Sequence, residues 1–331
     1  SLTWGFEYYT DVVDSARQEF DQQTSVSSDV RSRFPDGSTM DSLAFYASAQ
    51  WHPAPAWTLG AGVRHSRFDI SLPGTTNTRL SPDDTTADFR FNYSLNEVVN
   101  LVGNVGRGFR PPNIFDLGTL GNRPGNRFNI ANPELSPESV LSYDLGVKIQ
   151  SGSWQSEVFL FALDYRDKIT SVITGDLTES GRVIVRSENL AEAELHGLEA
   201  GFRWVGAESH SVYGSLNYTH GKEITDGESA PADLVPPLKG TLGLQWQSGE
   251  SFHLDAYLMF ASKQDRLSSR DVRDPRINPE GTAGWATLNV TMKWTLNQQL
   301  EAGLRLENIG DRHYREHGSG IDAPGINIGA W

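Results

Sequence analysis

The residues best equipped for chemistry in this sequence are cations and aromatics set in segments rich in glycine and proline. Between Arg110 and Glu138, Gly118, Gly121, Pro124 and Gly125 interrupt regular structure while Arg123 and Arg127 add guanidinium groups. Guanidinium is planar, permanently charged and shaped to grip carboxylate or phosphate, so such a loop can fold over an opening and offer its cations to an anion. It can equally lie on a surface and touch the phosphates of lipopolysaccharide. His313 and His317 are four apart, but no helical periodicity aligns them, so a polar loop is expected rather than a metal site. Asp83, Asp84 and Asp88 could offer oxygen ligands to a hard cation, yet they suit a solvated acidic segment better. No metal and no cofactor is expected. Serines, histidines and aspartates are scattered over separate segments, with no nucleophile elbow and no paired carboxylates, so the chain is not expected to be an enzyme.

The elements that must carry these loops are strands, because apolar residues recur with period two. Leu43, Phe45, Ala47, Ala49 and Trp51 share one parity, and Ala44, Tyr46, Ser48 and Gln50 the other. Ala87, Phe89, Phe91 and Tyr93 oppose Asp88, Arg90 and Asn92 in the same way, and Leu141 to Ile149, Leu238 to Trp246, Phe252 to Phe260 and Leu300 to Leu306 repeat the pattern. Hydrocarbon sits on one face and charge on the other. A soluble sandwich would show this too, so the connections decide. Short polar links follow Trp51, Ser94, Ile149, Trp204, Trp246 and Trp294, whereas seven long segments separate them: Asp11–Ser38, Ser71–Asp84, Arg110–Glu138, Arg166–Asn189, Gly221–Val235, Ser262–Gly284 and Gly310–Gly325. Brief turns at one end and long loops at the other are the topology of an outer-membrane barrel. Trp51, Trp57, Trp154, Trp204, Trp246, Trp285 and Trp294 fall near strand ends, where indole rings favour the lipid headgroup level. Gly108, Gly197 and Gly303 lie within strands and are expected to mark bends of the barrel.

Composition excludes the alternatives. With 37% hydrophobic residues and a mean hydropathy of -0.43, no stretch approaches the ~18 apolar residues of a spanning helix. A net charge of -14 without a basic stripe argues against nucleic acid. The absence of cysteine removes disulfides and thiolate chemistry. Ser1-Leu2-Thr3-Trp4 opens directly into an alternating strand without a secretory leader, which is expected of an interior or processed piece. The fold class expected is therefore all-β, a transmembrane antiparallel barrel with about fourteen strands over residues 1–331, without a second domain or linker.

Arg107-Gly108-Phe109-Arg110-Pro111-Pro112-Asn113-Ile114-Phe115-Asp116-Leu117, followed by Asn132-Pro133-Glu134-Leu135-Ser136-Pro137-Glu138, resembles the boxes found mid-barrel in TonB-dependent outer-membrane receptors. Glu188-Asn189-Leu190 through His196-Gly197-Leu198-Glu199, and Leu306-Glu307-Asn308-Ile309-Gly310-Asp311 with Tyr314-Arg315, are similar to further segments of that family in order and spacing. The resemblance implies a barrel of twenty-two strands around an N-terminal plug. The fourteen strands here would be its C-terminal part, with the plug, the energy-coupling box and the first strands absent. Family members end on a strand closing with an aromatic; Ile326 to Trp331 supplies six residues of one. The resemblance further implies a bacterial outer-membrane location, contact with lipid and lipopolysaccharide, coupling to the TonB complex through the absent region, and active uptake of a metal chelate, foremost a ferric siderophore. Arg110, Phe115, Arg123, Arg127, Phe128, Arg266, Arg270, Arg273, Tyr314 and Arg315 are the candidate ligand-binding residues, since cations and rings complement an anionic, aromatic chelate. Haem and cobalamin remain rival ligands. No histidine occurs from Phe109 to Leu135, which weakens haem, while Gly318 to Gly325 looks like segments of both kinds of receptor. From other classes, a complete fourteen-stranded passive channel and a soluble β-sandwich or adhesin stay open.

Overall fold

A computed structural model of the chain describes residues 1–30, 32, 34–73, 78–118, 120–123, 126–206, 209–225 and 227–331. Pro124 and Gly125, singled out above, lie outside the described residues. Among those described, fourteen strands form one antiparallel meander. They are β1 (Leu2–Val13), β2 (Ser38–Ala54), β3 (Trp57–Leu72), β4 (Asp83–Ser94), β5 (Val99–Arg110), β6 (Glu138–Ser151) and β7 (Trp154–Leu177). The second half comprises β8 (Val183–Val205), β9 (His210–Thr225), β10 (Lys239–Ser248), β11 (Phe252–Ala261), β12 (Trp285–Asn297), β13 (Leu300–Glu307) and β14 (Asn327–Ala330). Each pairs with its sequence neighbour, and no ladder joins β14 to β1 among the described residues.

The two parities meet different surroundings. The apolar parity has no second protein layer over it: Trp4 is 76% and Phe45 57% exposed although the two strands register Phe6 opposite Phe45. The opposite parity carries cross-strand ion pairs, Arg64 with Glu7 at 2.7 Å and Lys293 with Glu301 at 2.8 Å. A layer of exposed hydrocarbon outside and paired charge inside is stable only where lipid wets one surface and water the other. The sandwich alternative is thereby removed, because its greasy face would need a facing sheet.

Indoles ring the short-turn end. Trp57 stacks on Tyr93 at 4.5 Å, Trp154 on Phe202 at 5.6 Å, and the series His210–Trp246–Phe252–Trp294 continues with centroid spacings of 6.3, 5.6 and 5.5 Å. Trp285 departs from the expected girdle. It sits on the inward parity at the loop end of β12, 8% exposed, because its ring packs against Tyr314 at 4.3 Å. The ~10 residues of each strand nearest the short turns make up the membrane-crossing belt.

One further expectation is revised. Arg166–Asn189 is strand rather than loop: β7 and β8 run on beyond the belt with bulges near Tyr165–Ile169 and Ile173–Leu177, and close in the turn 178–182. The β-branched residues Ile169, Val172, Ile173, Val183, Ile184 and Val185 favour this extended hairpin. Two of the three strand glycines expected at bends lie under rings, while Gly108 faces Val140. A Cβ at Gly197 would strike Phe161, and one at Gly303 would strike the indole of Trp331, whose backbone pairs with Gly303 through N–H···O bonds of 2.9 and 3.2 Å. Gly243 likewise lies under Tyr213, whose hydroxyl donates to Asp255 at 2.9 Å. Gly243→Val should therefore destabilise the barrel by about 1–3 kcal/mol through overpacking. Urea unfolding of the full-length protein in lipid vesicles would read this as a lowered midpoint, with Gly243→Ala intermediate.

Candidate functional site

The long-loop end of the barrel is where the sequence places its cations, and those loops form two interlocked bodies. The first is the segment between β5 and β6. Pro111 and Pro112 end β5, lacking a ladder donor at that point. Helix α1 (Ile114–Gly118) follows, with the Asn113 side chain accepting from Phe115 N–H at 2.8 Å and Asp116 N–H at 3.0 Å. Leu117 and Leu135 bury against Ile70 and Leu72, with Met40, Phe68 and Ile169 around them. Ile70 and Leu72 belong to the inward parity of β3, so this small core lies inside the mouth and folds the loop into the barrel.

Arg110 is the hub of that body. Its Nε donates to Glu138 and its Nη1 to Asp116, each at 2.7 Å, while Glu138 also accepts from the Ile169 N–H at 2.6 Å. Both carboxylates are largely buried, at 14% and 12% side-chain exposure. Burial opposes ionisation of Glu138, but the bonds from Arg110 and Ile169 outweigh it and hold its carboxyl below the usual carboxylate range. The partnership with Glu138, against the cost of burial, pushes the guanidinium of Arg110 upward. Asn132 donates to the Ser187 carbonyl at 2.8 Å, and Asn189 donates to the carbonyls of Ser136 at 2.9 Å and Asp167 at 2.6 Å. The recurring boxes of the sequence thus serve as a clasp between the loop and the β7–β8 hairpin.

Beyond α1, segments 121–123 and 127–130 form a small hairpin, whose second arm adds in parallel to 183–186 of β8. Its register sets Arg127 directly opposite Arg123 and Phe128 opposite Asn122. Phe115 is 53% exposed on the same body, with its ring 6.2 Å from Phe34.

The second body gathers the loops after β9, β11 and β13. Helix α2 (Ser269–Arg273) begins with a reciprocal cap, in which Ser268 accepts from the Asp271 N–H and Asp271 accepts from the Ser268 N–H. Asp271, 2% exposed, also accepts from the Leu234 N–H at 3.1 Å, and Gln264 donates to the Val235 carbonyl at 2.7 Å. Thr282 bonds His317 at 2.9 Å. The Ser268-to-Asp271 spacing is a capping-box signal that the sequence carried, whereas the contact with Leu234 left no trace in it. Removing the Asp271 carboxylate leaves two N–H groups unsatisfied, those of Ser268 and Leu234, so Asp271→Ala should cost about 2–4 kcal/mol locally. Limited proteolysis within 226–238 and 262–284 should accelerate while the belt stays protected.

The candidate ligand residues divide accordingly. Arg123, Arg127, Phe128 and Phe115 share the first body. Arg110 belongs to it as well, committed to two carboxylates. Arg270 pairs with Asp233 at 3.1 Å, Arg273 bonds the Ser269 carbonyl at 2.9 Å, and Arg315 pairs with Asp322 at 2.8 Å. Tyr314 lies against Trp285, and its hydroxyl is pushed up by burial. Arg266 reaches His220. Of the residues weighed for cations, Asp84 spends both oxygens on Arg107, at 2.6 and 2.8 Å, and His313 lies 3.3 Å from Asp322. Below the mouth, the inner wall holds a recess of about 550 Å³ lined by Phe159, Glu199, Asn217, Lys239, Met259 and Trp285.

A family model described as TonB dependent receptor-like, beta-barrel matches residues 1–309. The chain is 23% identical over 259 residues to a probable TonB-dependent siderophore receptor, PirA, of Acinetobacter baumannii, a match covering 66% of this chain and 33% of that protein. It is 21% identical over 298 residues to the pesticin receptor of Yersinia pestis, covering 85% and 40% respectively. The chain thus spans about a third to two fifths of the length of these curated relatives. Among solved structures, the copper transporter OprC superposes with a TM-score of 0.79 at 16% identity, over 99% of this chain and 53% of that one. The unliganded ferric citrate transporter FecA gives 0.75 at 18% identity, over 99% and 49%. At such identities these likenesses establish the fold.

Proposed function

This chain belongs to the TonB-dependent receptor β-barrel family, and from that premise we propose that it is part of an outer-membrane receptor for active uptake of an anionic metal chelate, a ferric siderophore foremost. The observation that carries the ligand class is the register of the mouth hairpin, which sets Arg127 opposite Arg123 beside exposed Phe115. Cations and an exposed ring carried on one loop body at the mouth suit a ligand with clustered oxyanions and aromatic groups. Relatives described as siderophore receptors support the same reading.

The outer edge of β1, which pairs with no strand among the described residues, supports the partial-barrel reading. Hydrocarbon does not tolerate an open ladder, so further strands would close the cylinder, and a region beyond these residues would carry the plug and the TonB contact. A passive channel of fourteen strands would have required β14 to pair with β1. As a receptor the protein moves its ligand without covalent chemistry. The test uses the full-length protein in detergent with a ferric tris-catecholate as probe. Binding should be tight and weaken markedly between 50 and 500 mM salt; equal affinity at both would overturn the anionic-ligand reading.

A further inference from the structure

Four inward side chains stand in one row across the consecutive strands β7 to β10: Phe159 opposite Glu199, Glu199 opposite Asn217, and Asn217 opposite Lys239. Two residues nearer the short turns, the next inward row holds Gly201, Ser215 and Thr241, all small. A Cβ placed on Gly201 would meet nothing nearer than 3.9 Å. The small row is the floor of the inner-wall recess of about 550 Å³, with Met259 and Trp285 on its β11–β12 side and Glu316, from the loop after β13, also lining it.

The charges of the upper row are held apart. Neighbouring strands lie about 4.8 Å from each other, so the backbones of Glu199 and Lys239, two strands apart, are separated by roughly 10 Å. Asn217 stands between them and donates to Glu199 at 2.9 Å, which leaves its amide oxygen as an acceptor. Among the described residues, Lys239 has no carboxylate within ion-pair distance, and neither Glu199 nor Glu316 has a cation there; Glu157, beside Gly201, is met by Lys148 at 3.6 Å. Glu199 and Lys239 are both exposed to the lumen. The recess thus offers a carboxylate pole and an ammonium pole, each without a charged partner, above the hydroxyls of Ser215 and Thr241.

Neither pole defines a ligand by itself. A simple anion drawn to Lys239 would face two carboxylates, and a simple cation drawn to Glu199 would face an ammonium. An ammonium and a carboxylate borne on one carbon, with a hydrogen bond of about 2.8 Å at either end, span roughly 8 Å and so bridge side chains on backbones set that far apart. We propose that this recess binds the α-amino acid group of a zwitterionic arm carried by the chelate, its ammonium at Glu199 and Asn217 and its carboxylate at Lys239. The assignment rests on the receptor reading above and narrows the ligand to a chelate bearing such an arm. Phe159 and Trp285 flank the hydrocarbon that joins the arm to the metal-binding part.

Two ferric tris-catecholates of equal net charge separate the possibilities in the full-length receptor in detergent. One is built from lysine acylated with dihydroxybenzoate on its side-chain amine, so that the amino acid group is free; the other is the corresponding pentylamide, which lacks that group. The lysine chelate should bind about tenfold more tightly. Glu199→Gln and Lys239→Gln should each remove most of that preference without changing affinity for the pentylamide. Gly201→Leu, which fills the floor, should remove it as well, and Lys239→Arg should keep part of it. An unchanged preference in both charge variants, or displacement of the lysine chelate by micromolar glycine, would overturn the proposal. Tight and equal binding of the two chelates by the parent protein would overturn this site alone, whereas binding of neither would overturn the receptor reading and this site with it.

Discussion

Replacing Arg110 with methionine is expected to loosen the whole segment 111–137 while leaving the barrel intact. Methionine keeps most of the volume but strands two buried carboxylates, Glu138 and Asp116, that share the guanidinium. Breaking a fully buried pair costs ~3–5 kcal/mol; with Arg110 40% exposed, solvent recovers part of this and about 2 kcal/mol is expected. Amide exchange at Asp116 and Leu117 in the full-length receptor should accelerate about thirty-fold, with belt amides unchanged. The sign of the pH dependence follows from Glu138. Its folded pKa lies below the ordinary value of 4.5, so its contribution is complete above that value and is lost as pH falls through the lowered one. In the parent, α1 should loosen on acidification below about 4.5. In the variant burial is opposed only by the Ile169 N–H and by Lys168, so the loosening on acidification should be much reduced. An unchanged acid response would remove Arg110 from its role as hub.

Reversing both arginines of the mouth hairpin, Arg123→Glu with Arg127→Glu, should abolish chelate capture while preserving the hairpin. The double variant keeps two like charges in register across the hairpin and reverses the sign presented to the ligand. Each lost charge-assisted bond is worth ~1.5–3 kcal/mol, so affinity for ferric tris-catecholate should fall by about 10²–10⁴. Arg127→Glu alone gives a more informative split. It sets opposite charges face to face, which should stabilise the hairpin by ~0.2–1 kcal/mol, yet binding should still weaken at least tenfold. A single variant that is firmer and binds normally would relocate the ligand site, with the second loop body the next place to look.

Alternation and connection length were legible in the sequence for a simple reason. A strand between lipid and water must alternate strictly, and the side of the membrane on which loops are built shows in their length. The fourteen strands and six short turns follow from those two rules. The places where the expectation failed are those that local pattern does not govern. Trp285 has the composition of a girdle residue, yet its inward parity delivers it to Tyr314. Arg166–Asn189 is polar enough for a loop, yet its β-branched residues extend β7 and β8 far beyond the belt.

The candidate site was legible as residue types and not as partnerships. Guanidinium groups in a glycine-rich loop could be named one by one, but whether each greets a ligand or a neighbouring carboxylate depends on contacts that range from 6 positions away, as between Arg110 and Asp116, to 37, as between Arg270 and Asp233. Asn132 meets Ser187 across 55. The sequence by itself determined the period, the turns and the sign of each face, because these depend on neighbours along one strand and on the solvent outside it. Only the tertiary structure decided that Arg110 is a clasp, that Arg123 faces Arg127 and that Glu199 and Lys239 share one row of the inner wall. Those pairings are set by register between segments, and a one-residue slip would have exchanged every one of them for another.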